Sequence, residues 1–258
     1  MAKTILITGA ATGFGKATAI ALARAGHSVI AGVQIWPQVF DLRKAAEAEG
    51  VEIEVIKLDL TDEVDRKHAL KFDVDVLVNN AAVMQAGSTA DVPMWAIRQV
   101  FDTNVFGALE LTQGFLRKMV PRKSGKVVWV SSMVGLIVVP WLGAYCASKH
   151  AIEAIAATMK AELEGTGVKV ATINPGAFRT GFNDIGVQTQ AQWYDPATAV
   201  LGQPQLQEAL DAQFDPAEMI ADMVEVIAGD DHLYHTVKPQ AVADHIKQAQ
   251  AAAWEARA

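Results

Sequence analysis

The chain contains 258 residues, of which 51% are hydrophobic and 20% are charged, and its formal net charge is −7. This length and hydrophobicity allow a large buried core, which excludes intrinsic disorder as the main state of the chain. The acidic charge, without any basic tract, excludes nucleic acid as an electrostatically favoured partner.

Short apolar segments predict buried β-strands, and a helical pattern follows most of them. Strands are expected at residues 3–8, 27–33, 51–60, 74–80, 125–132 and 168–176. Helices are expected at residues 13–25, 38–49, 61–70, 94–119, 144–163, 215–228 and 240–256. Because strands that alternate with helices form βαβ crossovers, this order predicts a doubly wound parallel sheet with helices on both faces. The expected architecture is a three-layer α/β Rossmann fold in a single domain.

One uncharged run raises the question of a membrane span. Residues 127–148 carry no charged side chain and are numerous enough to cross a bilayer. Serine, glycine and proline interrupt the run, and its β-branched beginning favours a buried strand followed by a loop, so we expect no membrane association. The one cysteine, Cys146, fits a reducing, cytoplasmic compartment, and no Cys/His cluster has zinc spacing, so we expect no bound metal.

A glycine-rich turn follows the first predicted strand. Gly9, Gly13 and Gly15 have the spacing Gly-x-x-x-Gly-x-Gly and directly precede or begin the first predicted helix. Glycines in this place allow a close approach of the main chain to a pyrophosphate, and the helix N-terminus adds free N–H groups. The same glycines can also serve only packing in an ordinary strand–helix turn, so the motif by itself leaves both interpretations open.

A tyrosine and a lysine one helical turn apart form the second motif. Tyr145 and Lys149 are four residues apart at the start of a predicted helix, so their side chains leave the same helical face. A phenol has a pKa of about 10, and a neighbouring ammonium favours the phenolate and lowers that pKa. Ser132 ends the preceding strand, where open α/β sheets place their active sites. The three residues predict acid/base chemistry on a carbonyl or alcohol, although a Tyr-x-x-x-Lys spacing alone often arises by chance.

Together these motifs resemble the short-chain dehydrogenase/reductase family, in its single-domain branch with Tyr-x-x-x-Lys. The resemblance covers residues 3–181. Its marks are TGAATGFG at 8–15, Asp59, NNAA at 79–82, Asn104, Ser132 placed 13 residues before Tyr145, Lys149, and NPGAFRT at 174–180. The resemblance implies an NAD(P)-dependent oxidoreductase that interconverts a secondary or aromatic alcohol and its ketone or aldehyde by hydride transfer.

The resemblance implies four catalytic residues. Tyr145 would be the general acid/base, and Lys149 would hold the nicotinamide ribose and bias Tyr145. Ser132 would orient the substrate oxygen. Asn104 would anchor a water in a proton relay to Lys149.

The resemblance also implies the residues of the cofactor site. Asp59 would accept a hydrogen bond from the adenine amino group, and Asn79 would brace the sheet beside the cofactor. The other implied cofactor-binding residues are Gly9, Thr12, Gly13, Phe14, Gly15, Val33, Gln34, Leu60, Asn80, Ala81, Tyr145, Lys149, Pro175, Gly176, Phe178 and Thr180. Without the resemblance, Asn79 and Asn104 can be ordinary structural amides, and Asp59 can cap the helix that follows it.

The choice between NAD and NADP stays open in the sequence. The NAD enzymes of the family often carry an acidic residue where this chain has Val33, and the NADP enzymes often carry arginine where it has Gln34. The basic residue sometimes found inside the glycine turn is also missing, because Thr12 stands there. The expectation leans slightly to NADP, since Val33 cannot exclude a 2′-phosphate and Gln34 can donate to one. A further departure from the family is Ala82, where glycine is usual.

The predicted substrate pocket is apolar. Its segments are Ala82–Gln85, Met133–Ala144 and a lid at residues 181–214, and few charges lie among them. This composition favours a small apolar or aromatic alcohol or carbonyl compound. The expected substrate-binding residues are Ser132, Met133, Trp141, Tyr145, Phe182 and Trp193. Alternatively, the tryptophans and methionines only pack the core or a subunit contact.

Two further interpretations remain beside the dehydrogenase. A non-catalytic NAD(P)-sensing module would keep the glycine turn and could dispense with the tyrosine and lysine, both of which this chain retains. A reductase for another carbonyl class, such as 3-oxoacyl or steroid substrates, would use the same residues, whereas enoyl reductases and epimerases of the family differ in spacing or domain size. The helices at 94–119 and 144–163 are rich in alanine, leucine and isoleucine, and the resemblance implies that they form a homodimer or homotetramer.

Overall fold

Valine, isoleucine and leucine form the strands at the centre of the protein. The computed structural model describes residues 1–202 and 210–254. The strands of its sheet are β1 (Thr4–Ile7), β2 (Ser28–Val33), β3 (Glu54–Lys57), β4 (Val76–Asn79), β5 (Gly125–Val130), β6 (Val168–Pro175) and β7 (His235–Lys238). They pair in parallel in the order β3-β2-β1-β4-β5-β6-β7. The predicted parallel sheet is therefore confirmed.

Helices cover both faces of this sheet. They are α1 (Gly13–Arg24), α2 (Trp36–Ala48), α3 (Glu63–Ala69), α4 (Met94–Phe101), α5 (Ala108–Met119), α6 (Gly143–Glu162), α7 (Phe182–Gln188), α8 (Ala217–Ala228) and α9 (Gln240–Ala253). One buried cluster joins the sheet to α1, α2 and α8, and a second joins it to α3, α5 and α6. These two cores make the three-layer, single-domain Rossmann architecture that the alternation of elements predicts.

The structure departs from the predicted elements in two places. The predicted helix at 94–119 contains a π-helical turn, Asp102–Gly107, between α4 and α5. Strand β7 was not predicted, because its residues His235–Lys238 are polar and partly exposed at the edge of the sheet. A short edge strand lacks the apolar run by which buried parallel strands are recognised.

Two predicted segments extend beyond the described residues. Positions 203–209 of the predicted lid and positions 255–256 of the last predicted helix lie outside them. Within residues 1–202 and 210–254, none of the helices is both long and apolar enough to cross a membrane. The uncharged run at 127–148 consists of most of β5, a short 3-10 turn, a loop and the start of α6.

The sheet order creates a crevice between β1 and β4. The chain runs outward from β1 through β2 to β3, and then returns to β4 on the other side of β1. In an open parallel sheet, ligands bind where the strand order reverses, at the carboxyl ends of the strands. The loops after β1, β4, β5 and β6 meet at this edge.

Candidate active site

A cavity of about 640 Å³ opens at the carboxyl ends of the strands. It contains most of the residues that the sequence nominated: Gly9, Thr12, Gly13, Phe14, Gly15, Gln34, Asp59, Leu60, Asn80, Ala81, Ser132, Met133, Tyr145, Lys149, Pro175, Gly176, Phe178, Thr180 and Phe182 all line it. One cavity therefore brings together the glycine turn and the tyrosine–lysine motif, which are more than 120 residues apart in sequence.

The glycine turn is shaped by close contacts that leave no space for side chains. Gly9 has a φ of +64°, and a Cβ there would lie 2.6 Å from the Ala81 Cα atom. At Gly15, a Cβ would collide with the Gly9 carbonyl oxygen. Thr12 precedes α1 but its side chain makes no capping hydrogen bond, so the first N–H groups of the helix face the cavity without that partner. This arrangement suits a pyrophosphate.

The side chains of Thr8 and Asn80, directly after β1 and β4, hold the glycine turn in place. The Asn80 amide donates to the carbonyl oxygens of Thr8 and Gly9, at 2.9 and 3.0 Å. In return, the Thr8 hydroxyl oxygen accepts from the main-chain N–H groups of Asn80 and Ala81, both at 3.0 Å. The resemblance implied Asn80 as a cofactor-binding residue and gave Thr8 no role of its own. A threonine at the last position before the glycine turn was the available signal.

The buried side chains of Asn79 and Asn104 each join two parts of the fold through hydrogen bonds. Asn79 donates to the Thr112 hydroxyl at 2.8 Å, which joins β4 to α5. Asn104, in the π-helical turn, donates to the Val83 carbonyl at 2.9 Å and accepts from the Val83 N–H at 2.8 Å. It also donates to the Ser148 hydroxyl at 3.1 Å. These hydrogen bonds hold the loop after β4 against α6.

Asp59 lies at the end of the cavity beyond the glycine turn. Its carboxylate accepts from the N–H and the hydroxyl of Thr61, at 2.9 and 2.8 Å, and from the Gln34 amide at 3.3 Å. Burial tends to raise the pKa of Asp59, but these hydrogen bonds outweigh it and hold the pKa below its ordinary value. Asp59 does not cap α3, because Asp62 accepts from the Val64 N–H and fills that position.

The Val33 side chain lies away from the cavity. Val33 is fully buried in the core under α1 and α2 and does not line the cavity. The next residue, Gln34, reaches the cavity instead, because side chains alternate between the two faces of a strand. The Gln38 side chain accepts from the Gln34 and Ile35 N–H groups, at 2.9 and 3.2 Å, and closes this end of the site.

Tyr145, Lys149 and Ser132 meet in the middle of the cavity. Helix α6 presents Tyr145 and Lys149 on one face, and the Lys149 nitrogen lies 5.6 Å from the centre of the Tyr145 ring. Lys149 donates to the Val130 carbonyl at 2.9 Å, at the end of β5. The Ser132 hydroxyl accepts from the Val134 N–H at 3.3 Å. All three side chains are buried in the protein yet border the cavity.

Burial dominates the electrostatics of this group. It raises the pKa of the Tyr145 phenol above its ordinary value, and an interaction with the Ser132 side chain only partly opposes the effect. Burial also lowers the pKa of the Lys149 amine to about 8, against the opposing charge of Glu153. The expected lowering of the Tyr145 pKa is therefore not produced by Lys149 alone. A cationic ring beside the phenol would act in the lowering direction.

The predicted substrate residues divide into two groups. Met133 and Phe182 line the cavity, and the Phe182 ring lies 5.7 Å from the Tyr145 ring. Trp141 instead lines a smaller neighbouring cavity, and the Trp193 ring packs against Gly87 outside the main cavity. Their assignment as substrate contacts is not supported by this geometry. The polar lining residues Gln99, Thr103 and Gln192 were not predicted, because no local motif marks them.

The sequence and the fold of this chain are similar to those of known proteins. A family model described as short chain dehydrogenase matches residues 3–190. The uncharacterized oxidoreductase YbbO of Escherichia coli strain K12 is 37% identical over 196 residues, covering 74% of this chain and 71% of YbbO. A short-chain dehydrogenase structure from Streptomyces avermitilis has a TM-score of 0.81 at 30% identity, covering 98% of this chain and 94% of that one. A Burkholderia phymatum short chain dehydrogenase/reductase, solved in complex with NAD, shares the fold with a TM-score of 0.80 at 23% identity, covering 95% and 92%.

Proposed function

The chain belongs to the short-chain dehydrogenase/reductase family of oxidoreductases, and on that premise we propose that it interconverts an alcohol and its carbonyl compound with NAD(P)(H). The observation that carries the proposal is the meeting of Tyr145, Lys149 and Ser132 in the cavity that also contains the glycine turn. A nucleotide-sensing module needs only the glycine turn. The buried phenol and amine beside an open cavity therefore favour an enzyme.

The residues of the cavity fit a dinucleotide along its length. Asp59 and Gln34 are placed to hold the adenosine end, and the glycine turn with the start of α1 is placed to hold the pyrophosphate. Pro175 at the end of β6, with Gly176 and Thr180 after it, would hold the nicotinamide end. When bound, the nicotinamide supplies or accepts the hydride.

The chain's own part in the reaction is proton transfer and orientation. Ser132 donates a hydrogen bond that orients the substrate oxygen toward Tyr145. The Tyr145 phenol gives its proton to that oxygen during carbonyl reduction and takes it back during alcohol oxidation. The Lys149 amine supplies positive charge beside the phenol, which favours the phenolate that forms after the proton has left. The apolar walls exclude water around these groups, so each charge acts more strongly.

We propose a small apolar or aromatic substrate. The part of the cavity beyond Tyr145 is lined mainly by apolar side chains: Met84, Met133, Val139, Leu142, Phe182, Ile185 and Val187. Such a lining favours compounds without charged groups. In the described cavity lining, Lys149 is the only lysine or arginine, so a second anionic group on the substrate would lack a cation. A 3-oxoacyl or steroid substrate is the alternative within the same chemistry.

For the cofactor we keep a slight preference for NADP over NAD. Residue 33, at the end of β2, is a buried valine, so no carboxylate at this position repels a 2′-phosphate. The Gln34 amide lies at this end and can donate to such a phosphate, although it also donates to Asp59 at 3.3 Å. Because no arginine or lysine from the described residues lines this end, we expect a difference of about tenfold or less between the two cofactors.

We also propose a homodimer or homotetramer. Met94 and Trp95 on α4 and Phe106 in the π-helical turn expose large apolar side chains, at 56%, 49% and 54%. Exposed aromatic and methionine side chains on one helical segment are typical of a protein interface. Light scattering after size-exclusion chromatography would measure the number of subunits.

The test of the proposed function is an assay of the purified protein with both cofactors and a panel of apolar ketones, aldehydes and alcohols. Turnover followed by nicotinamide absorbance is the expected result. Replacing Tyr145 by phenylalanine removes the proton donor but keeps the ring, so kcat should fall by about 10²–10⁴. Cofactor affinity, measured by quenching of protein fluorescence, should change little. Normal cofactor binding without turnover of any compound would favour the nucleotide-sensing module.

A further inference from the structure

Glu153 is a largely buried carboxylate for which the proposed function has no role. It lies on α6 one helical turn beyond Lys149, so Tyr145, Lys149 and Glu153 follow each other at intervals of four residues on one face. Its side chain is only 11% exposed, and its Oε2 atom is buried without a hydrogen bond among the described residues. A buried carboxylate is costly unless neighbouring groups compensate its charge.

Glu153 is connected to the main chain of Ser132 through one amide. Asn174 is completely buried near the end of β6, and its Nδ2 donates to the Glu153 Oε1 atom at 2.5 Å and to the Ser132 carbonyl at 3.3 Å. The Thr172 hydroxyl donates to the Asn174 Oδ1 atom at 3.1 Å. Both N–H donors of the Asn174 amide are thus used. The Glu153 carboxylate fixes the orientation of this amide, and the amide in turn holds the main chain at Ser132.

Glu153 also faces the charged and titratable groups behind the site. On the same helix, the charged group is Lys149. Burial lowers the pKa of the Lys149 amine, and the negative charge of Glu153 opposes this lowering. From the edge strand, the His235 Nδ1 atom lies 3.7 Å from the Glu153 Oε2 atom. Just before that strand lies Tyr234, whose phenol pKa is raised to about 12 by burial and then by the charge of Glu153. The group that β6 places against Glu153 is the uncharged Asn174 amide, which also accepts from the Thr172 hydroxyl.

We propose that Glu153 is a positioning residue for the reaction, which fixes the Ser132 segment through Asn174 and keeps the Lys149 amine charged at the working pH. The proposal rests on the proposed roles of Tyr145 and Lys149. Glu153 does not touch the substrate or the cofactor in this account. It acts from the next turn of the same helical face on Ser132 and Lys149, which do.

The substitution Glu153→Gln separates charge from hydrogen bonding, because glutamine keeps an oxygen that can accept from Asn174. With the negative charge gone, the alkaline limb of kcat/KM should move to lower pH by about 0.5–1 unit, while kcat at the optimum changes about threefold or less. Glu162→Gln is the matched control, since it removes an exposed carboxylate from the same helix. Its pH profile should be that of the wild-type protein.

The substitution Glu153→Ala removes the acceptor as well as the charge. Loss of the fixed Ser132 segment should then lower kcat about 10–100-fold, with little change in the KM for the cofactor. Circular dichroism and thermal unfolding would establish that the variant is folded. If Glu153→Ala does not fold, Glu153→Gln alone decides, and an alkaline limb equal to that of the control overturns the proposal.

A second measurement does not depend on turnover. The ¹³Cε resonance of Lys149, assigned with Lys149→Arg, reports the protonation of the amine against pH. Its midpoint should move to lower pH in Glu153→Gln and stay in place in Glu162→Gln. An unmoved midpoint overturns the coupling even if the wild-type protein is an active dehydrogenase. A shifted midpoint in a protein without any turnover supports the coupling and contradicts only the proposed function.

Discussion

Two buried lysines at opposite ends of β5 show how similar electrostatics can serve different purposes. Lys126 lies near the start of the strand, and Lys149 donates to the Val130 carbonyl at its end. They are 3% and 2% exposed, and burial lowers the pKa of each amine to about 8. Neither burial nor the direction of the pKa shift distinguishes a structural lysine from one in an active site.

The hydrogen bonds distinguish the two lysines. The Lys126 amine donates to the carbonyls of Val226, Ile227 and Gly229, which lie at and just beyond the end of α8. A lysine in that position satisfies helix carbonyls that have no partner within the helix. The Lys149 amine has one described acceptor, Val130, and borders the cavity. A buried amine with unused donors at a cavity is available for chemistry, whereas a saturated one holds two elements together.

The largest expected effect is on activity at Lys149. Replacing Lys149 by methionine removes the positive charge beside Tyr145 and a donor to the cofactor, so kcat/KM should fall by about 10³-fold or more. The midpoint of thermal unfolding should stay the same or rise, because an apolar chain replaces a buried charge that has one acceptor. Steady-state kinetics and calorimetry measure both quantities. A large loss of stability would show that Lys149, like Lys126, mainly holds the fold.

The next effect, on stability, is expected at Lys126. Lys126→Met leaves the carbonyls at the end of α8 without their donor and should lower the free energy of unfolding by about 1–3 kcal/mol. The kcat of the folded protein should not change, because Lys126 lies at the other end of the sheet. Lys169→Met is the matched control, since that half-exposed lysine donates to the nearby Asp230 carbonyl and should cost about 0.5 kcal/mol or less. Urea unfolding measures all three proteins.

Of these two lysines, the sequence predicts a role only for Lys149, because only Lys149 belongs to a local motif. Lys149 is recognisable because Tyr145 stands one helical turn before it, and the glycine turn is recognisable by its spacing. Lys126 and Glu153 show no such signal, because their partners Val226 and Asn174 are distant in sequence and meet them only through the sheet order.

Two expected contacts lie away from the cavity for the same physical reason. The family resemblance implied Val33 as a cofactor contact, but the alternation of side chains turns it into the core and brings Gln34 to the cavity. Trp193 was assigned to the substrate because it is aromatic and lies in the predicted lid, but it packs against Gly87. In both cases the residue type was informative, and the direction of the side chain was set by tertiary packing.

The smallest expected effect is the dependence of stability on pH, and it applies to Lys126 and Lys149 alike. Each amine has a pKa of about 8 in the folded protein and an ordinary value of 10.5. Between these values the unfolded chain binds more protons than the folded protein, so the free energy of unfolding rises with pH. Compared with Lys126→Met, the free energy of unfolding of the wild-type protein should rise by about 1 kcal/mol more per pH unit between about pH 8 and 10. The same difference is expected when the wild-type protein is compared with Lys149→Met. Urea unfolding of the wild-type protein and the two variants at a series of pH values measures this gain. If only Lys149→Met changes the slope, burial destabilises the Lys149 amine but not the Lys126 amine, and the hydrogen bonds of Lys126 then offset the cost of burying its charge.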